Sequence, residues 1–256
     1  MRTADLIRLQ ERISAEVSAA DPWHAKGSLL IGGCFVAFAR GEAGPGRPGD
    51  RAWAGAVVWD EAVVVRRRDG TAWHRPDVGL RGTRPVDGAR RSALLVADAV
   101  ASAEVPAAYQ PGLLAAREGA VLAAAVAWLA VRPDVLLVDA TGRDHPRGAG
   151  LAVHLGWACG LPTVGVTSRA LVAAGIPPGP ERGDWSPLVL AGREVGRWLR
   201  TRPRARPVLV HAAWRTDPQT AADVVLRAST LAARTPVPLQ EARRVAREAR
   251  SDAGLE

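Results

Sequence analysis

Hydrophobic positions repeat with two different periods along the chain, and the change of period marks the predicted elements. Apolar residues at helical spacing predict an amphipathic first helix over residues 3–20. Short apolar runs bounded by glycine, proline or charged residues come next, and they predict strands at 29–38, 52–59, 62–67 and 94–105. No helical pattern separates these strands, so we expect them to form an antiparallel set.

The second half of the chain alternates between helical and strand patterns. An Ala/Leu-rich helix is predicted over 113–131, and a wholly apolar strand at 134–139 follows it. Such a strand is typical of a central parallel position that is covered on both faces. The later predicted elements are a helix at 148–160, a strand at 162–166, a hairpin over 187–201 that turns at Gly192, a strand at 207–213, and helices at 218–233 and 239–250. An antiparallel set followed by alternation predicts a mixed α/β sheet in three layers.

The pattern also sets the expected domain organisation. We find no internal repeat and no linker long enough to divide the chain, so we expect a single domain over residues 3–250. Within it, residues 68–91 are rich in arginine, glycine and proline, which predicts a surface excursion.

Composition and charge narrow the class of protein. The 256 residues carry a formal net charge of +8, with 34 Lys and Arg against 26 Asp and Glu. A positive surplus of this kind suits a polyanionic partner such as nucleic acid. The chain also has a single lysine, Lys26, and no asparagine, a bias that a GC-rich coding sequence produces in any protein. Charge alone therefore leaves both explanations open.

The location of the protein is predicted from what the pattern lacks. No uninterrupted run of about 18 apolar residues occurs, which argues against a membrane-spanning helix. The N-terminal segment carries mixed charge without the apolar core of a signal peptide, so we expect a cytoplasmic protein. Separately, we expect the protein to be a monomer. Cys34 and Cys159 lie in apolar patterns without metal-ligand spacing, so we expect both to be buried and reduced.

Two carboxylates in the middle of the chain are the strongest candidates for chemistry. Glu118 lies about two turns into the helix that follows a Pro-Gly turn, and Asp139 ends the central strand. An antiparallel return of the helix brings both to the carboxyl edge of the sheet, where open α/β sheets place their sites. Two convergent carboxylates are the minimum for a Mg²⁺ site with open water positions. Taken alone, the pattern favours a plainer interpretation, in which Glu118 is solvated and Asp139 caps a loop.

A resemblance to the endonuclease V family is carried by four segments, YQPGLLAARE, RPDVLLVDATGRDHPR, LAVHLG and LPTVGV, in matching order and spacing. The resemblance extends over residues 3–247, and its most specific part is the PG-L-L-x-x-RE helix followed by LLVD and HPR. It implies a ribonuclease H-like α/β/α fold, which agrees with the predicted three-layer sheet. It also implies Mg²⁺-dependent cleavage of nucleic acid, at the second phosphodiester on the 3′ side of inosine, a deaminated adenine.

The resemblance implies roles for particular residues. Glu118, Asp139 and His145 match catalytic positions, and the two carboxylates also match metal ligands. The residues that match nucleic-acid-binding positions are Tyr109, Pro111, Gly112, Leu114, Gly142 and Arg147. Tyr109 corresponds to an aromatic wedge that separates strands, while Gly112 and Leu114 correspond to the pocket for a flipped base.

Three chemistry-bearing positions depart from the family pattern. Phe35 stands where the first strand of the family carries a metal-binding aspartate, and Trp214 stands in place of a histidine. Ser168, or Arg169 if a gap is allowed, stands in place of a lysine. A phenyl ring cannot coordinate Mg²⁺, so the implied cofactor is Mg²⁺ with weak or absent binding.

Other charged residues are candidates with more than one interpretation. Asp144 follows Asp139 on the same loop and could replace the missing ligand, but we favour an exposed loop carboxylate. We expect Asp60 and Glu61 to be turn residues. We expect phosphate contacts from a run of arginines between two strands, the alternative being a solvated hairpin edge: Arg200, Arg202, Arg204 and Arg206.

The sequence therefore supports three functions. We favour a nucleic-acid-binding protein that recognises deaminated purine sites in DNA or RNA, with a degenerate Mg²⁺ site and weak or lost cleavage. The first alternative is an active Mg²⁺-dependent endonuclease of DNA repair, and the second is a non-catalytic scaffold or interaction protein. Whether the chain is an enzyme stays open at this point, because Phe35, Ser168 and Trp214 replace expected catalytic residues.

Overall fold

The computed structural model describes residues 3–39, 46–61, 84–85 and 95–254. The helices in these ranges are α1 Thr3–Ala19, α2 Leu114–Ala127, α3 Leu151–Cys159, α4 Pro218–Arg227 and α5 Val237–Asp252. The strands are β1 Leu30–Phe38, β2 Arg51–Asp60, β3 Arg84–Pro85, β4 Leu95–Glu104, β5 Val135–Val138, β6 Thr163–Thr167, β7 Trp185–Leu190, β8 Arg193–Leu199 and β9 Val208–Ala212. The strand predicted at 62–67 and almost all of the excursion predicted at 68–91 lie outside the described residues.

The strands of the described ranges form one mixed sheet in the order β3-β4-β2-β1-β5-β6-β9-β8-β7. The strands β1, β2 and β4 pair antiparallel, whereas β5 pairs parallel with both β1 and β6. The strands β9, β8 and β7 then extend the sheet in antiparallel fashion. The predicted mixed sheet is confirmed, and so is the central parallel strand, because every residue of β5 is buried.

Helices cover both faces of this sheet. The first core contains Ile13 of α1, Leu122 of α2 and Leu155 of α3. The second core, on the opposite face, contains Val224 of α4 and Val245 of α5. The three-layer prediction is therefore confirmed. None of the helices in the described ranges is both long and apolar enough to cross a membrane.

Helix α5 lies directly on β1 and β2 because two strand positions have no side chain. A Cβ atom at Gly33 would lie 2.3 Å from the carbonyl oxygen of Pro238, and one at Gly55 would lie 2.6 Å from that of Ala242. Any larger residue at either position would push the helix away from the sheet. The close contact places Arg243, the residue after Ala242, over the ring of Phe35 on β1.

Two helices end earlier than the sequence pattern predicts. Helix α2 ends at Ala127 and α4 at Arg227, so the predicted ends at 131 and 233 are wrong. After α4, the N–H of Ser229 bonds to the carbonyl of Leu226 in a tighter turn, and the Ser229 hydroxyl donates to the carbonyl of Val225. These bonds satisfy final carbonyl groups of the helix and end it, although the apolar pattern continues.

Candidate nucleic-acid interface

Phe35 and Asp139 are neighbours at the edge where β1 and β5 stop pairing. The parallel ladder between these strands ends with the pair Cys34–Val138, so the next residue on each strand is Phe35 or Asp139. Cys34 and the distant Cys159 are both buried and free, as expected. The carboxyl end of the central strand is thus the place where the candidate chemistry lies.

Glu118 and Asp139 line one cavity of about 320 Å³ at this edge, which we call the first cavity. Its other lining residues are Cys34, Phe35, Val36, Phe38, Tyr109, Leu114, Leu122 and Val138. The structure therefore brings the two carboxylates together, with an aromatic ring beside them. The solvated position considered for Glu118 does not match its placement in this cavity.

The carboxyl group of Glu118 holds its proton more firmly than an ordinary glutamate does. Burial raises the pKa of Glu118 from 4.5 to about 7. The positive charge of Arg117 acts in the opposite direction, while the negative charge of Asp139 adds to the rise. Near neutral pH, roughly half of the molecules therefore carry an uncharged Glu118.

Asp139 already binds a cation, which is the side chain of Arg243. The Nη2 atom of Arg243 donates to Oδ2 of Asp139 at 3.0 Å. The Cζ atom of the same guanidinium lies 4.9 Å from the centre of the Phe35 ring, within cation–π distance. Sequence reasoning missed Arg243 because 104 residues separate it from Asp139 and its helix has an ordinary charged pattern.

The described residues do not fit a resident Mg²⁺ ion. Among them, no group of three or more His, Cys, Asp or Glu side chains is placed to hold a metal. Asp139 is paired with Arg243, and Glu118 is half protonated near neutrality. Mg²⁺ requires near-octahedral oxygen ligands and loses its water reluctantly, so an arginine-bound acid and a partly protonated acid make a poor site.

A second cavity, of about 210 Å³, adjoins the first and shares Tyr109, Leu114 and Asp139 with it. The remaining residues that line this second cavity are Gln10, Gly112, Ala115, Ala140, Thr141, His145, Leu151, Thr167 and Leu171. Apolar walls with a few placed polar groups are typical of a small-molecule or base pocket. Tyr109 is 43% exposed, so its ring is available to a ligand that enters either cavity.

Three side chains converge on one carbonyl oxygen in the turn before α2. The oxygen of Gly112 accepts a hydrogen bond from Nε2 of Gln10 at 3.1 Å and one from Nε2 of His145 at 3.0 Å. A third comes from Nη2 of Arg147 at 2.7 Å, and Nε of Arg147 also donates to Oε1 of Gln10 at 2.7 Å. Gly112 has a φ of +75°, which glycine adopts without strain. Sequence reasoning missed Gln10, which occupies an ordinary core position of an amphipathic helix.

Both ring nitrogens of His145 are engaged by backbone groups. Nε2 bonds to the oxygen of Gly112, and Nδ1 accepts from the N–H of Arg147 at 3.2 Å. This pattern requires the neutral ring with its proton on Nε2, and burial lowers the pKa of His145 in agreement. His145 thus positions the turn in this structure, and its catalytic role stays a prediction.

Arg117, the residue before Glu118, fixes the segment that leads to Tyr109. It forms an ion pair of 2.7 Å with Asp50, in which both side chains are buried. Its Nη1 atom donates to the carbonyl oxygen of Ala107 at 2.7 Å. One turn of α2 therefore carries both a carboxylate of the first cavity and the anchor of the Tyr109 segment.

Asp144 organises the loop after β6. Its side chain is fully buried, so the expected exposed loop carboxylate is wrong. Its two oxygens accept three backbone N–H groups at 2.7, 2.9 and 2.7 Å, from Leu171, Val172 and Ala173. A carboxylate occupied in this way holds a loop, because its lone pairs are directed at amides rather than at an ion.

Two of the predicted residues contribute to packing. A Cβ atom at Gly142 would lie 2.3 Å from the carbonyl oxygen of Ala212, so this glycine permits close contact with β9. Trp214 is partly buried and packs against the first core. Pro111, Ser168 and Arg169 are exposed, as are Tyr109 and Asp139 of the predicted set. A nucleic-acid role for Pro111 and Gly142 stays a prediction.

The arginines between β8 and β9 have unequal surroundings. Arg200 donates to the carbonyl oxygens of Gly179 at 2.8 Å and Pro178 at 2.9 Å, and it also bonds to the carbonyl of Ala205. Its guanidinium therefore ties two loops together. The phosphate prediction stays with the three exposed members of the run, Arg202, Arg204 and Arg206. Away from them, Glu61 pairs with Arg227, as suits the expected turn residue.

Comparison with known proteins identifies relatives of the chain. Residues 89–244 match a family model described as Endonuclease V. The Endonuclease V of Xanthomonas campestris pv. campestris is 44% identical over 138 residues, which cover 54% of this chain and 58% of that protein. The chain thus matches little more than half the length of this relative.

Solved structures match the fold over almost the whole chain. The crystal structure of the Endonuclease V from Streptomyces avermitilis has a TM-score of 0.78 and 30% identity, and the match covers 99% of this chain and 95% of that one. Endonuclease V from Ciona intestinalis, solved with a 24mer DNA containing an inosine followed by a ribo-adenosine, has a TM-score of 0.67 and 17% identity, over 98% of each chain. The ribonuclease H-like fold class is confirmed by these matches.

Proposed function

The chain belongs to the endonuclease V family, and from this premise we propose that it recognises a deaminated purine, such as inosine, in DNA or RNA, with weak or lost phosphodiester cleavage. The observation that carries the proposal is the contrast between the adjoining cavities. The second cavity surrounds a turn held by three hydrogen bonds at Gly112. In the first cavity, the lining carboxylate Asp139 is paired with Arg243 of α5.

Recognition rests on the second cavity and on Tyr109. A protein that reads a single base within a duplex turns that base out of the stack and holds it in a pocket. Gly112 and Leu114, which match the base pocket of the family, both line the second cavity. The exposed ring of Tyr109 matches the strand-separating wedge, and stacking of a base on such a ring contributes about 1–3 kcal/mol.

Weak or lost cleavage rests on the first cavity. Metal-assisted hydrolysis of a phosphodiester draws several kcal/mol of transition-state stabilisation from the ion, and each 1.4 kcal/mol is about tenfold in rate. The donor set described above is unsuited to Mg²⁺, because Phe35 contributes carbon and Asp139 is bound to Arg243. The rate of cleavage should therefore fall by several orders of magnitude relative to a site with a full ligand set.

Two oligonucleotides that differ only by inosine or adenosine at one position test both parts of the proposal. We expect fluorescence polarisation to show tighter binding to the inosine oligonucleotide, equally in EDTA and in Mg²⁺. With either Mg²⁺ or Mn²⁺ we expect no cleavage products, or only traces that form far more slowly than about one turnover per minute. Tyr109→Ala should weaken binding to the inosine oligonucleotide by about tenfold. A matched control is Trp185→Ala, which removes an exposed aromatic ring from β7, outside both cavities.

Each alternative function has its own outcome in this experiment. Rapid, multiple-turnover formation of products with Mg²⁺, abolished in Asp139→Ala, would establish an active endonuclease. Equal affinity for the two oligonucleotides would show that the protein does not recognise inosine. No binding to any oligonucleotide would favour a scaffold role.

A further inference from the structure

Arg243 contacts two of the residues that line the first cavity. Its Nη2 atom donates to Asp139 at 3.0 Å, and its guanidinium carbon lies 4.9 Å from the centre of the Phe35 ring. The side chains of Arg243 and Asp139 are 36% and 33% exposed. A ligand at this edge can therefore reach the ion pair.

The guanidinium of Arg243 has hydrogen-bonding capacity left over. Within the described part of the chain, only its Nη2 atom meets an acceptor, and its Nε atom is shielded from water without one. A guanidinium offers five N–H donors in a planar fork and remains charged throughout the physiological pH range. Such a fork suits phosphate oxygens, and the face of Phe35 fixes its plane.

The position of Arg243 would bring it close to the backbone of a nucleic acid whose base enters the second cavity. The two cavities share Tyr109, Leu114 and Asp139, so a base held in the second cavity has its own backbone beside the first. Phosphate groups account for a large share of protein contacts with nucleic acid and carry no sequence information. A backbone phosphate beside the first cavity would lie close to Asp139, which lines both cavities, and so to the Arg243 side chain that is bound to it.

We propose that Arg243 is the permanent cation of this site and binds a phosphate oxygen of the nucleic-acid backbone, where a divalent ion would otherwise be needed. The proposal rests on the function proposed above. It also explains Phe35, because the guanidinium packs against the ring of this residue in a cation–π contact. Asp139 orients the arginine through its hydrogen bond to Nη2.

Polarisation measurements in EDTA on three proteins test the phosphate contact. The proteins are the wild type, Arg243→Gln and the control Arg247→Gln, which removes an exposed arginine one turn further along α5. We expect Arg243→Gln to weaken binding by about tenfold and Arg247→Gln by less than about threefold. A phosphate contact predicts the same factor for the inosine and adenosine oligonucleotides, and a salt slope that falls by about one. Arg243→Lys should restore part of the affinity, because the charge remains while the fork is lost.

The outcomes separate this proposal from the function on which it rests. If the wild type binds both oligonucleotides equally, base recognition fails, but the phosphate contact is still measured on either strand. If Arg243→Gln weakens binding no more than Arg247→Gln does, the role of Arg243 is wrong while base recognition can stand.

A metal-binding measurement on the wild type makes the test independent of how the Arg243 variants fold. We expect electron paramagnetic resonance to show no protein-bound Mn²⁺, with or without oligonucleotide. The double variant Phe35→Asp, Arg243→His introduces an oxygen and a nitrogen ligand beside Asp139, so we expect it to bind Mn²⁺. Tight Mn²⁺ binding by the wild type that Asp139→Asn abolishes would overturn the proposal.

Discussion

The two cavities share three lining residues, but different interactions organise them. Hydrogen bonds to a backbone carbonyl organise the second cavity, and side-chain charges organise the first. In the second cavity, hydrogen bonds converge on the Gly112 carbonyl from a neutral histidine, an amide and an arginine. In the first cavity, Asp139 is paired with Arg243, and burial raises the pKa of Glu118 to about 7. Under the proposed function, base recognition depends on backbone geometry, whereas hydrolysis depends on the charge of a few side chains. A few substitutions would then remove hydrolysis and leave the pocket intact.

The largest expected loss of stability comes from replacing Arg117. This residue lies on the helix that carries Glu118 of the first cavity, and it fixes the segment that leads to Tyr109, which lines both cavities. Removing one partner of a buried ion pair costs about 3–5 kcal/mol, because the other charge stays buried without it. We expect Arg117→Met to lose this much unfolding free energy in urea titrations. Arg193→Met, at an exposed position of β8, is the control and should change stability by less than about 0.5 kcal/mol. Equal midpoints for the two variants would show that Arg117 is not an anchor.

The raised pKa of Glu118 in the first cavity should make the stability of the protein depend on pH. The folded protein keeps the proton of Glu118 up to about pH 7, while the unfolded chain releases it near pH 4.5. The contribution of Glu118 is therefore complete below pH 4.5 and is lost as the pH rises through 7. Relative to Glu118→Gln, the wild type should lose on the order of 3 kcal/mol of unfolding free energy across this range. Parallel stability curves for the two proteins would mean that Glu118 ionises normally.

The second cavity can be weakened alone by changing Gln10. This buried side chain donates to the Gly112 and Ala149 carbonyls and accepts from Arg147. We expect Gln10→Leu to cost about 1–3 kcal/mol of stability, because buried polar partners lose their hydrogen bonds. Preference for the inosine oligonucleotide should fall, whereas the salt slope of binding should stay as in the wild type. A reduced salt slope would instead tie Gln10 to the phosphate contact.

Local patterns predict much of this fold. The apolar strand at 134–139 indicated a position inside the sheet, because a strand that is covered on both faces needs apolar side chains on both of them. The helix ends were missed at α2 and α4, where turn hydrogen bonds close the helix within a continuing apolar pattern. Such bonds depend on the direction that the chain takes after the helix, and a local sequence pattern does not show that direction.

The candidate site was predicted only in part, and the missing part has one physical cause. Strand and helix geometry allowed Glu118 and Asp139 to converge, but the pattern alone favoured a plainer interpretation, and it was the resemblance to the family that predicted their shared site. Arg243 meets Asp139 across 104 residues, and Gln10 meets Gly112 across 102. Each looks ordinary within its own helix, because its role comes from tertiary contacts. Asp144 was misjudged for the same reason, since its amide partners lie 27 to 29 residues away.

The carbonyl of Gly112 has a consequence for the thermodynamics of binding. Three donors already fix this turn. If a base binds in the second cavity as proposed, the turn needs no further ordering, and little conformational entropy is lost there on association. Discrimination between bases should then lie in how long each one stays, so dissociation rates should differ more than association rates.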